Sequence, residues 1–113
     1  MKNYRLTIFS QPNCNPCIKL KDHLKTLDEG QRLELEIAAF KDSDGERTAD
    51  AKQAGVTLTP TLVVSVPSMT CCMENGEEYC TVHYVPVESV VGCKEIIRQL
   101  PDLLAAYTYA ISE

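Results

Sequence analysis

Two cysteines separated by two residues, Cys14-Asn15-Pro16-Cys17, are the part of this sequence best equipped for chemistry. Such a pair can close into a disulfide or open to a dithiol, and the sulfur that carries thiolate character decides which one reacts. The motif follows a predicted strand and opens a predicted amphipathic helix. At a helix start the unpaired N–H groups and the helix dipole favour negative charge, which brings a cysteine pKa from about 8.5 into the range of roughly 3.5 to 7.5. Pro16 costs no hydrogen bond in that first turn. Cys14, the earlier of the two, reads as the attacking thiolate. Cys17, on the helix side shared with Leu20 and Leu24, reads as the resolving thiol. Cys14 would attack a substrate disulfide to form a mixed disulfide, and Cys17 would then displace the reduced substrate and leave Cys14 bonded to Cys17.

The chain carries 6 Cys in 113 residues, so four lie outside this motif: Cys71, Cys72, Cys80 and Cys93. Asn75-Gly76 is a strong signal for a two-residue hairpin turn, and that turn sets Cys71 directly opposite Cys80. Counted outward from the turn, the two form a non-hydrogen-bonded pair, the kind whose side chains stand closest. Cys71 and Cys80 are therefore a second cysteine pair. Their default reading is partly buried thiols in a reducing compartment, with a cross-strand disulfide or a second redox couple as the alternative. Four thiolates are enough for zinc or an iron-sulfur cluster. The adjacent Cys71 and Cys72, however, lack ligand spacing and point to opposite faces of a strand, so no metal is assigned.

These residues need elements to hold them. Leu6 and Ile8 alternate with Arg5 and Thr7 in a strand over residues 4–9. Leu20, Leu24 and Leu27 recur at helical spacing, predicting a helix over 17–28 that Gly30 ends. A second, half-buried strand is predicted over 33–40. Ser43 and Glu46 form a candidate capping box for a helix over 47–54 closed by Gly55. The β-branched run 61–66 reads as a central strand behind Pro60. Beyond it a long hairpin is predicted, with pairing limited near its base by Pro67 and Pro86. After Gly92, residues 94–100 are helical, and Pro101 either kinks that helix or starts a second one over 102–111. His23, His83, Lys19 and Lys21 read as ordinary surface residues.

Composition sets outer limits. Hydrophobic residues are 44% and charged residues 24% of the chain, a balance that excludes disorder and suits one core, hence a single domain over residues 1–113. The formal charge of −5 offers nothing to phosphate backbones or anionic lipid, so neither nucleic acid nor a membrane is an expected partner. The N-terminus lacks the apolar region and cleavage site of an export signal, and the expected location is the cytoplasm.

The order strand, CNPC, helix, strand, helix, then Thr59-Pro60 before a strand, resembles the thioredoxin and glutaredoxin superfamily over nearly the whole chain. The resemblance implies an α/β thioredoxin fold: a central mixed four-stranded sheet with helices on both faces, here with an extended hairpin toward its end. It implies a thiol-disulfide oxidoreductase that reduces protein or small-molecule disulfides, with Cys14 and Cys17 catalytic and no cofactor beyond the redox-active disulfide. Pro60 corresponds to a cis-proline facing the CxxC, and the backbone of Thr59 to the segment that pairs with extended substrate. Asn13, Asn15, Pro16, Thr59, Pro60 and Gly92 are the implied substrate-binding residues. Asn13 stands where thioredoxins carry a tryptophan, and Pro16 where glutaredoxins commonly carry a tyrosine. Implied partners are protein disulfides, ribonucleotide reductase among them, with glutathione or thioredoxin reductase as electron donor and a monomeric state. Two alternatives use the same fold without turnover: a partner-binding module, and a zinc or iron-sulfur protein built on the extra cysteines.

Overall fold

The computed structural model describes residues 4–108. Strand β1 (Arg5–Ser10) leads into helix α1 (Asn15–Leu24) and a short helix α2 (Glu29–Leu33), followed by β2 (Leu35–Ala39) and a short helix α3 (Ala49–Gln53). A long hairpin of β3 (Thr61–Glu74) and β4 (Glu77–Val91) precedes the final helix α4 (Cys93–Thr108). The strands form one open mixed sheet in the order β2-β1-β3-β4, with β2 parallel to β1 and the other pairings antiparallel.

Strand alternation sends successive side chains to opposite faces, and both faces are covered where the sheet is widest. On one face Leu6, Ile8, Leu62, Val64 and Val90 pack with Leu20 and Leu24 of α1 and with Ile96, Leu100, Leu103 and Leu104 of α4. The α4 set has the spacing of a single helical stripe. On the other face Phe9 and Val63 pack with Phe40, Ala51 of α3 and Val56. Among the described residues no helix is long and apolar enough to cross a membrane.

Several element boundaries differ from those read in the sequence, each for a local reason. Helix α1 stops at Leu24 rather than Asp28, because the His23 carbonyl accepts from both the N–H and the hydroxyl of Thr26 and the chain tightens there. Asp28 then caps α2 by accepting from the Gln31 N–H at 2.9 Å, so Gly30 lies inside a helix instead of ending one. Leu33 and Glu34 belong to α2 and its C-cap, which shortens β2 at its start. The Ser43–Glu46 capping box does not form. Asp42 accepts from the N–H groups of Asp44 and Glu46 to make a tight turn, and Thr48 caps α3 through the Ala51 N–H. Gly55, with φ of +72°, follows α3 in a conformation that glycine adopts without steric cost. Helix α4 runs through Pro101, whose ring sits on the exposed side while Leu100, Leu103 and Leu104 anchor the other. The part of the predicted C-terminal helix beyond Thr108 lies outside the described residues.

The hairpin departs furthest from expectation, because Pro67 and Pro86 do not interrupt it. Counting outward from the Glu74 and Glu77 pair beside the turn, Pro67 opposite Tyr84 and Pro86 opposite Ser65 both occupy non-hydrogen-bonded positions. Their missing N–H groups face away from the ladder: toward solvent from the edge strand β4, and from β3 toward the side where β1 has already ended at Arg5 opposite Ser65. One bulge between Val64 and Ser65 leaves Val87 as an extra residue on β4 and shifts the register by one. Past Ser68 the ribbon is exposed on both faces, and the radius of gyration of 15.8 Å exceeds the roughly 13 Å of a rounded chain this long. Stability should therefore concentrate in the wide part of the sheet. Leu62→Ala, at 0% exposure in the core, is expected to cost about 2–5 kcal/mol in urea unfolding. Met73→Ala, 70% exposed on the ribbon, is expected to stay within about 0.5 kcal/mol. A comparable loss at both sites would contradict this partition.

Candidate active site

The C-terminal end of β1 delivers the chain through a short loop, with Asn13 at φ +62°, to the start of α1. Cys14 is the N-cap residue. Its backbone is extended, its carbonyl accepts the first helical bond from the Ile18 N–H at 3.0 Å, and its Sγ accepts from the Cys17 N–H at 3.3 Å. Pro16 occupies the second helical position and has no N–H, so the donor left for the capping sulfur is that of Cys17, at the third position. The motif thus places a sulfur where an oxygen from Ser, Thr or Asp ordinarily caps a helix.

Cys14 and Cys17 are joined by a disulfide with a Cα separation of 5.2 Å. Cys14 is partly exposed, whereas Cys17 is 2% exposed on the face of α1 that also buries Leu20 and Leu24. This asymmetry is chemically useful, since an incoming thiolate or disulfide meets Cys14 first.

The Thr59-Pro60 segment lies against the same sulfur. The peptide bond between the two is cis. The Thr59 hydroxyl donates to Cys14 Sγ at 3.5 Å, and the Thr59 carbonyl oxygen is 3.8 Å from that sulfur. Gln11 completes a relay by donating from Nε2 to Thr59 Oγ1 at 2.8 Å, which leaves the hydroxyl hydrogen to point at sulfur. Pro60 is buried, and its carbonyl accepts from the Gly92 N–H at 2.9 Å, tying this turn to the start of α4. Gly92 has φ of +95°, the left-handed region that favours glycine.

Asn15, Pro16, Thr59, Pro60 and Gly92 line one groove of about 480 Å³, together with Lys19, Val91, Cys93, Lys94 and Glu95. Asn13 precedes the groove on the exposed loop and is not in its lining. Cys71 and Cys80 lie far from it, at the other end of β3. Gln11 is the residue that sequence reading missed. Its contact spans 48 positions, and no local pattern announces such a pairing. At the rim, Glu95 is held below the ordinary glutamate range, chiefly by its hydrogen bond from Arg98 and then by one from Gln99. The groove mouth accordingly carries a carboxylate beside Lys94 at neutral pH.

No family model matches the chain, and no curated protein matches it. Solved structures do resemble it. The thioredoxin of Fasciola hepatica superposes with a TM-score of 0.56 at 20% identity, over 94% of this chain and 83% of that one. The thioredoxin Mala s 13 of Malassezia sympodialis gives 0.51 at 20% identity, over 96% and 75%. A thioredoxin of Thermus thermophilus gives 0.52 at 17% identity, over 89% and 73%. The chain has the thioredoxin fold, with a CxxC disulfide at the start of its first helix.

Two predictions test the electrostatics of this region. Hydrogen bonds to a thiolate favour the charged form, so Thr59→Val should raise the Cys14 pKa in the reduced chain. Gln11→Ala should move it less in the same direction. The pH dependence of Cys14 alkylation reads this out, and an unchanged or lower pKa in Thr59→Val would exclude the relay. At the rim, Glu95 should titrate in NMR below the ordinary glutamate value, and Arg98→Gln should bring its midpoint back up. The small stabilisation from this exposed pair is present above the unfolded pKa and is lost as pH falls through the lowered one.

Proposed function

We propose that the protein is a thiol-disulfide oxidoreductase that reduces disulfides through Cys14 and Cys17. The observation that carries the reading is the capping sulfur: Cys14 is the accessible member of a disulfide-forming pair and receives hydrogen bonds from the Cys17 N–H and the Thr59 hydroxyl. Each of these bonds, with the helix dipole, favours the thiolate over the thiol.

In the reduced chain the Cys14 thiolate attacks one sulfur of a substrate disulfide. The substrate bond breaks as a mixed disulfide forms at Cys14, and the departing substrate sulfur takes up a proton. Cys17, losing its own proton, then attacks Cys14 Sγ, which releases the second substrate thiol and closes the Cys14–Cys17 bond. Two electrons have passed from the chain to the substrate. The groove beside Cys14 supplies the docking surface, with Asn15 and Pro16 on one wall, Thr59 and Pro60 on another and Gly92 at the start of α4, and Asn13 flanking the approach to Cys14. Extended substrate would pair with the Thr59 backbone by the logic of strand addition.

The finer reading is a small redoxin acting as a monomer in the cytoplasm on protein disulfides, of which ribonucleotide reductase is one. Its oxidised form would be recharged by glutathione or by thioredoxin reductase. Parallel turnover assays with the two donors decide this point. Cys14→Ser is expected to abolish disulfide reduction, and Cys17→Ser to accumulate a mixed disulfide at Cys14. Full turnover by Cys14→Ser would overturn the reading, and substrate capture without any turnover by the unaltered chain would make the protein a binding module.

A further inference from the structure

The ribbon formed by the outer halves of β3 and β4 holds a second sulfur centre. Cys71 and Cys80 are directly opposed in the ladder with a Cα separation of 4.1 Å, on the narrow, non-hydrogen-bonded side of the alternation, and they are joined by a disulfide. This corrects the expectation of partly buried thiols, because both residues are exposed. Glu78 lies two residues from Cys80 and so shares its face of the ribbon. Its carboxylate oxygen is 3.9 Å from Cys80 Sγ. One ligand atom from each of Cys71, Glu78 and Cys80 falls within 4.8 Å of the others, and among the described residues this is the one such triad of potential metal ligands.

We infer that this face of the ribbon is a redox-gated site for a thiophilic divalent cation, zinc being the natural probe. In the oxidised chain both sulfurs are committed to each other and offer no thiolate. In the reduced chain they become two soft anionic ligands that the ladder register holds side by side, with a carboxylate as third. A tetrahedral zinc with bonds of about 2.3 Å to sulfur spaces two thiolates roughly 3.8 Å apart and a carboxylate oxygen slightly closer, a spacing open to the two directly opposed side chains once the bond between their sulfurs is broken. Three protein ligands leave the fourth position to water, the open kind of zinc site. Cys72 does not take part, because it follows Cys71 in the strand and points to the opposite face.

Gating needs a dithiol donor, such as dithiothreitol or the reduced Cys14 and Cys17 of a second copy. The donor thiolate attacks one ribbon sulfur, and the Cys71–Cys80 bond breaks as a mixed disulfide forms. The donor's second thiol then closes the donor disulfide. Two electrons and two protons pass to the ribbon, giving two thiols, and zinc binding releases those two protons. Within one chain the two centres are kept apart by β3, which starts beside Pro60 and places Cys71 ten residues further on, roughly 30 Å away. The site does not rest on the proposed catalysis by Cys14.

The test is a zinc titration of the full chain against a chromophoric chelator, anaerobically, after dithiothreitol has been removed. The reduced chain is expected to bind one more zinc than the reduced C71S/C80S chain, and the oxidised chain to lack that equivalent. The C14S/C17S chain should keep it, which separates this site from the CxxC pair. E78Q retains both thiols and the ribbon but loses the anionic third ligand, and should bind at least about tenfold more weakly, since even groups that only orient a metal's ligands change affinity by roughly 10–100-fold. Equal zinc uptake by the reduced parent and C71S/C80S chains, loss of the equivalent in C14S/C17S, or full affinity in E78Q would each overturn the inference.

Discussion

The burial of three consecutive residues in β3 organises the molecule. Leu62, Val63 and Val64 are each no more than 1% exposed, which requires neighbours on both edges of the strand and cover on both its faces. β1 and β4 supply the edges, α1 and α4 cover one face, and Phe40, α3 and Val56 cover the other. A continuous apolar run with no polar alternation is what such a doubly covered strand demands. Because this segment is fixed, so are its two ends. The turn at Pro60 is held against the start of α1, and the ribbon is carried out beyond the reach of the helices.

The site end concentrates hydrogen-bond donors on one sulfur. A thiol at a helix N-cap already receives a backbone N–H and the positive end of the helix dipole. Pro16 removes a competing donor from the first turn, and the hydroxyl of Thr59, oriented by Gln11, adds a third influence from a segment 45 residues away in sequence. These effects act in the same direction. In a reduced chain donors of this kind favour a thiolate at the N-cap position, whereas Cys17 lies away from solvent. The asymmetry between the two cysteines therefore arises from where they fall on α1, not from any difference in residue type.

Much of this was legible in the sequence because it is encoded locally. The CNPC motif at a strand-to-helix junction, the β-branched run after Pro60, and the Asn75-Gly76 turn each carry their geometry within a few residues. Asn75 and Gly76 do adopt the positive φ values, +56° and +80°, of the type I′ turn, and the register that follows sets Cys71 opposite Cys80. What was not legible depends on competition or on long-range contact. Asp28 and Thr48 outcompete Gly30 and Ser43 in setting the helix boundaries, because a side-chain oxygen positioned on an orphan N–H outweighs a residue's average preference. The prolines of the ribbon look like breaks until the hydrogen-bonding parity of each position is known. Gln11 is invisible without the tertiary contact to Thr59.

The same parity explains how the ribbon persists outside the core. A two-stranded hairpin alone is marginal in water, and its two free edges invite pairing with other chains. Pro86 and the Val87 bulge blunt the β4 edge, Pro67 does the same for β3 beyond β1, and the Cys71–Cys80 bond ties the strands together near the turn. A cross-link there closes only a short loop, so it chiefly fixes the register of the outer ribbon and adds little constraint to the folded core. The consequence is a division of labour along one strand. The inner half of β3 follows the Thr59-Pro60 turn that contacts Cys14, and the outer half carries the Cys71–Cys80 bond beyond the cover of the helices.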